Sequence, residues 1–236
     1  MSTSVRTVLL GLAVAALARA QDGRRMAVPL SGPWNNDVHI CRLDAAGRLE
    51  RLGVFERLSV PTLARMPDGR LPAAVQYFPV DDPDRFDKIA VAVSSDEGRT
   101  SSSLKTARFS GLPNSMVRPF DPTLVSLPGG RVRLYFTGNF GRHLYESTPA
   151  IYSAVSTNGS DCEYEPGVRF GVAGRMVIDC AVVLHRGVFH LYAPDNGGVP
   201  GVSPTSRPDG KSGAARHPLQ PSDRPRPASV TTQPVT

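Results

Sequence analysis

Asp121 and Asp179 are the residues of this sequence whose type and spacing could do chemistry. Each opens an apolar strand in a recurring strand–turn–strand element, DPTLVSLPGGRVRLYFT at residues 121–137 and DCAVVLHRGVFHLYA at residues 179–193. An earlier copy, VPTLARMPDGRLPAAVQYF at residues 60–78, carries Val60 at the same place, so the element itself does not demand an acid there. Two carboxylates supply what acid–base chemistry needs, one to give a proton and one to take it or to attack. Arg118, just ahead of Asp121 in RPFDP, could bind a carboxylate or hydroxyl groups.

Other chemistries find no residues. His39, His143, His185 and His190 lack metal-ligand spacing, so no metal site is expected. Cys41, Cys162 and Cys180 fit no zinc or redox pattern. An exported chain could form one disulfide from them, the pair being open, and at least one reads as a small buried strand residue. There is no phosphate-binding loop, no GxSxG and no dinucleotide fingerprint, so no cofactor is expected. Of the net charge of +6, Arg6 and Arg19 account for two and residues 201–236 for three, which leaves no basic face for nucleic acid.

The elements that must position the two aspartates are short strands. With 22 Gly and 22 Pro in 236 residues, turns are frequent and long helices are not expected. A second element alternates with the first: an alternating strand that runs into a Ser-x-Asp/Asn turn with Gly. It occurs at residues 89–101 and 151–165, with a degenerate copy at 38–50, and Asp44, Asp96 and Asn158 hold equivalent places. Each pair of hairpins makes four antiparallel strands in about 60 residues, the signature of a β-propeller blade. The expected fold is therefore all-β, a β-propeller, with a sandwich as the competitor. About three blades are represented over residues 34–198: an outer hairpin, two whole blades and an inner hairpin. Propellers usually have about 4–8 blades, so the ring reads as incomplete.

The two ends read differently. Arg6, the apolar residues 8–17 and Ala18-Arg19-Ala20 form a secretory signal, predicting export to the periplasm or beyond with cleavage after Ala20, and no membrane anchor. Residues 21–33 are an N-terminal segment. Residues 199–236, rich in Pro, Ser and Arg, are expected to be disordered.

SSDEGRTS, with Ser94, Asp96, Gly98 and Thr100, resembles the Asp-box of sialidases and related propellers. STNG, with Ser156, Asn158 and Gly159, resembles the shorter turn of five-bladed glycoside hydrolases. These side chains serve the turn rather than catalysis: short polar groups bond its backbone amides and Gly supplies positive φ. RPFDP is similar to an Arg-Asp-Pro element of propeller enzymes acting on fructosides, with Pro119 and Phe120 inserted. The resemblance is to secreted sialidase-like and glycoside-hydrolase-type propellers. It implies a glycan ligand, and Asp121 and Asp179 flanking a glycosidic bond on the axis face. Their separation would set the outcome, about 5–5.5 Å for retention and about 6.5–9.5 Å for inversion. It further implies substrate contacts for Arg118, Asp37, Trp34 (the only Trp, able to stack on a sugar ring) and Asp195, and an acid and nucleophile in Glu146 and Tyr152 if the chemistry is sialidase-like. A binding propeller without catalysis, or an inactive fragment, are the competing readings.

Overall fold

The structure, a computed structural model, describes residues 26–140, 146–198 and 215–218. The predicted signal and most of the predicted tail lie outside these residues. In chain order the strands are β1 (Asp37–Leu43), β2 (Leu49–Glu56), β3 (Leu58–Leu63), β4 (Leu71–Tyr77), β5 (Lys88–Ser94), β6 (Lys105–Thr106), β7 (Arg108–Ser110) and β8 (Phe120–Leu127). They continue with β9 (Arg131–Gly138), β10 (Ala150–Ser156), β11 (Asp161–Phe170), β12 (Arg175–Val177), β13 (Ala181–His185), β14 (Val188–Tyr192), β15 (Asp195–Gly198) and β16 (Ala215–Pro218). The one helical turn among the described residues is a 3-10 turn at Pro33–Asn35.

The sheets follow the hairpin order read from the sequence. β3-β4-β5-β6 form one four-stranded antiparallel sheet, and β8-β9-β10-β11 form the next, with β7 added in parallel outside β11. These are two successive β-propeller blades, each an inner hairpin joined to an outer one. β1-β2 is an outer hairpin by itself, and β13-β14 is an inner hairpin. The end hairpins do not join into a blade among the described residues: β1 pairs with β2, while β14 pairs with β13 and β16. Here the expectation of a structureless tail needs correction, because Ala215–Pro218 is a strand. Its backbone supplies partners to an edge of β14 that would otherwise stand open.

Burial follows from blade stacking. A central strand covered on both faces should be apolar throughout, not alternating. β9 and β10 show this, with every residue buried except Arg131 and Val155 at half depth. Alternate residues of blade two serve opposite neighbours. Val132, Leu134 and Phe136 pack with Ala74, Ile89 and Val91 of blade one. Tyr135 and Ile151 pack with Phe189 and Leu191 of the third hairpin. Cys162 and Cys180 lie in these two cores. Burial pushes both thiols up to about 12, which makes them inert fillers rather than nucleophiles. Cys41 is exposed and all three are free thiols.

One charged cluster is buried between blade two and the third hairpin. The Arg133 side chain is fully enclosed and donates two hydrogen bonds to Glu165, at 2.7 and 2.6 Å. Ser153 also donates to Glu165, at 2.6 Å, and Arg169 donates to Ser153 at 2.7 Å. The Arg133 guanidinium stands 4.8 Å over the Phe189 ring.

The Ser-Asp-Gly turns behave as local chemistry predicts. The Ser94 hydroxyl accepts the Gly98 N–H at 2.8 Å, and Asp96 accepts the Thr100 N–H at 2.8 Å and its hydroxyl at 2.6 Å. These bonds, led by the Thr100 hydroxyl, hold the Asp96 carboxyl down at about 2. In the next copy Ser156 accepts the Gly159 N–H at 2.9 Å, and Asn158 accepts those of Ser160 and Asp161 at 3.0 and 2.8 Å. Gly159, at φ 88°, also faces the preceding blade, where a Cβ would come within 3.2 Å of Val91. Gly159→Ala is therefore expected to cost about 1–3 kcal/mol, from left-handed strain plus crowding, in urea unfolding. A cost below about 0.5 kcal/mol would mean the turn simply relaxes.

Candidate functional site

Three equivalent residues begin the three inner strands: Val60, Asp121 and Asp179. All three have left-handed backbones, at φ 48°, 52° and 59°. The ladder register breaks beside the first two, between Ser59 and Thr62 and between Phe120 and Thr123. A bulge there re-aims the side chain, and the following Pro61 or Pro122 fits because no ladder N–H is needed. Asp tolerates this conformation better than most residues, but a β-branched Val in it is strained. The blade therefore imposes the conformation and leaves the side chain open.

Threonines of the repeated Pro-Thr-Leu segment tie neighbouring inner strands together. The Thr62 hydroxyl accepts the Leu124 N–H at 3.1 Å, and the Thr123 hydroxyl donates to the Cys180 carbonyl. Asp179 donates its own N–H to the Thr137 hydroxyl at 3.1 Å, and Thr137 is the ladder partner of Phe120. Asp121 and Asp179 are thereby brought into each other's field.

Asp121 faces a cavity of about 250 Å³ lined also by Trp34, Ser59, Gln76, Phe78, Phe86, Asp87 and Arg118. Burial first, then the Asp179 charge, pushes its carboxyl up to about 7; Arg118 opposes this and Asp87 adds to it. Arg118 pairs with Asp87 at 2.6 Å and lies 4.6 Å over the Phe120 ring. Gln76 donates to the other Asp87 oxygen at 2.7 Å. Two polar atoms at this cavity have no hydrogen-bond partner, Ser59 Oγ and Gln76 Oε1, on residues only 8% and 3% exposed. Buried acceptors left unpaired are costly unless a ligand or water completes them.

The predicted residues separate. Asp121, Arg118 and Trp34 line the cavity, where Trp34 makes an edge contact with Phe78 at 6.4 Å and donates its indole N–H to Pro29. Asp179 stands beside them, exposed on the third hairpin. Asp37 is exposed, opens β1 as expected, and accepts the Arg57 N–H at 3.3 Å; it does not line the cavity. Asp195 pairs its backbone with Val177 in β15, and its side chain lies outside the described residues. Tyr152 is in the core, 6% exposed and stacked on Phe136, which removes it as a nucleophile. Glu146 is exposed. Sequence reading missed Ser59, Gln76 and Asp87. The available signal was Gln76 itself, a polar residue inside the apolar run of β4. Among the described residues no cluster of three or more His, Cys, Asp or Glu could hold a metal ion.

No known family profile matches this sequence, and no curated protein matches it. Several solved structures resemble it. An α-L-arabinofuranosidase of Fusarium graminearum complexed with arabinobiose is 19% identical, with a TM-score of 0.44 over 58% of this chain and 40% of that one. An α-L-arabinanase of Penicillium chrysogenum is 20% identical, with a TM-score of 0.43 over 59% and 41%. A GH43 endo-arabinanase from Bacillus licheniformis is 15% identical, with a TM-score of 0.42 over 75% and 61%. This chain thus spans from about two fifths to three fifths of their lengths. At such identities a likeness speaks of fold alone, and the fold here rests on the sheet order above.

Proposed function

We propose that this chain is a secreted, glycoside-hydrolase-like propeller that works through Asp121 and Asp179. The observation that carries this is their placement: two equivalent left-handed positions at the start of adjacent inner strands put the two acids in each other's field, where Val60 shows the fold does not need them. Asp121, half protonated near neutral pH, is the acid that gives its proton to the leaving oxygen. Asp179 is the base that activates water or the nucleophile that attacks the anomeric carbon. Trp34 offers a ring face to the sugar, and Ser59 Oγ and Gln76 Oε1 meet its hydroxyls.

The local charge favours neutral sugars. Two acids, Asp87 and Asp121, share the cavity with one cation, and that cation is already held by Asp87. A sialic carboxylate would find no free positive partner there, which argues against a sialidase in the strict sense. The test is a panel of chromogenic glycosides, pentofuranosides included. Turnover is expected, and Asp179→Asn should lower it by about 10²–10⁴-fold. Binding of the same sugars without turnover would make this a carbohydrate-binding propeller. Turnover unchanged in Asp179→Asn would remove the assignment.

A further inference from the structure

We propose that Asp87 is a positioning residue of this site: by clamping Arg118 and Gln76 together, it keeps the Arg118 guanidinium from closing onto the Asp121 carboxylate. This rests on the reading of Asp121 as the working acid. Three separate parts of the chain meet in the clamp. Gln76 comes from β4, Asp87 from the connection between β4 and β5, and Arg118 from the approach to β8. One Asp87 oxygen accepts Gln76 Nε2 at 2.7 Å, and the other pairs with Arg118 at 2.6 Å. The Asp87 backbone is fixed at φ 58°, and its N–H is spent on the Tyr77 carbonyl at 2.8 Å. Few side chains besides Asp and Asn accept that backbone readily, so its conformation and its bonds aim the carboxylate from two directions.

The consequence falls on Asp121. Arg118 and Asp121 flank Phe120 and line the same cavity. A guanidinium presents five donors and pairs bidentately with any carboxylate it can reach. Held by Asp87, and lying over the Phe120 ring, Arg118 is committed elsewhere. The charges acting on Asp121 are Asp179 from the third hairpin, which raises its carboxyl, then Arg118, which lowers it from its place in the clamp, and Asp87, which raises it; Ser59, Val60 and Trp34, which line the same cavity, are uncharged. Gln76 is oriented by the same clamp. Its NH₂ is used on Asp87, so its Oε1 is the end left for a ligand hydroxyl.

The test is the titration of the Asp121 carboxyl by ¹³C NMR, its signal identified by its loss in Asp121→Asn. Asp87→Asn keeps the left-handed backbone and can still accept a bond from Gln76, but it cannot hold the guanidinium as an ion pair. The Asp121 midpoint is expected to fall by about one pH unit or more as Arg118 swings across. In an Arg118→Gln background the same Asp87 change should move it less than a third as far. Equal shifts in both backgrounds would show Asp87 to be a remote negative charge and overturn the clamp, as would no shift. Arg118→Gln alone checks the proposal independently. It should raise the midpoint only slightly, and a rise of a full pH unit would mean that Arg118 was already serving Asp121. The titration needs no substrate, so it can fail while hydrolysis stands, or hold where hydrolysis is not found.

Discussion

Asp121→Asn is expected to abolish turnover while making the folded protein more stable above neutral pH. The loss of activity follows from removing the acid and is expected at about 10²–10⁴-fold. The gain in stability follows from proton linkage. In the folded chain this carboxyl titrates at about 7, against an ordinary value of 3.8. Below pH 4 both folded and unfolded chains hold the proton, and the group contributes no difference. Between pH 4 and pH 7 the folded chain binds more proton than the unfolded one, so stability falls as pH rises. Above pH 7 the full cost of keeping a buried charge beside Asp179 is present, on the order of 4 kcal/mol at 1.36 kcal/mol per pH unit. Asn has nearly the shape of the neutral acid and carries no proton to lose. Melting curves should therefore coincide for the two proteins at pH 4 and separate at pH 8, with Asp121→Asn melting higher. A variant that melts lower at pH 8 would mean the carboxylate is a structural partner, and the acid role would go with it. A fold that tolerates such a cost, where Val60 shows a neutral residue fits, is best explained by selection for function.

Glu165→Gln is expected to destabilise the protein by about 3–5 kcal/mol, the usual cost of breaking a buried ion pair from one side. Arg133 has no exposed side-chain surface and puts two hydrogen bonds on Glu165. Arg169, only 9% exposed, stands 3.7 Å from the same carboxylate. Removing the carboxylate charge takes from Arg133 and Arg169 the anion they share between blade two and the third hairpin. Gln fills the same space, so packing is not the issue. The prediction thus isolates charge. Urea unfolding followed by fluorescence should show a lower midpoint with an unchanged slope, and a loss under 1 kcal/mol would show that water reaches the cluster and screens it. Because Glu165 touches neither Asp121 nor the cavity, any turnover that remains should keep its pH profile.

Much of the architecture was legible because it is local. Alternating hairpins at a fixed period, with Ser-Asp-Gly turns whose bonds close over a few residues, predict themselves from residue type. The hydrogen bonds of Ser94, Asp96 and Thr100, and of Ser156, Asn158 and Gly159, follow from that chemistry. The candidate acids were legible for the same reason: Asp121 and Asp179 occupy equivalent places in a repeat, and a repeat on adjacent strands brings equivalents together. Asp37 and Tyr152 do not join the cavity, because what engages each of them is set by neighbours far along the chain. Asp37 is engaged by the backbone of Arg57, and Tyr152 by the aromatic rings between blades one and two.

Returning to Asp121 and Asp179, the sequence determined that they are equivalent and that nothing in the blade requires them to be acids. Only the tertiary structure decided that they differ. Asp121 shares its cavity with Trp34, Phe78 and Phe86 and with a polar clamp that joins the β4–β5 connection to Arg118, while Asp179 stays open to solvent. That difference in burial is the main reason the Asp121 carboxyl is pushed up to about 7. Burial of this kind depends on which segments pack together in space, and residue type and spacing along the chain do not record it.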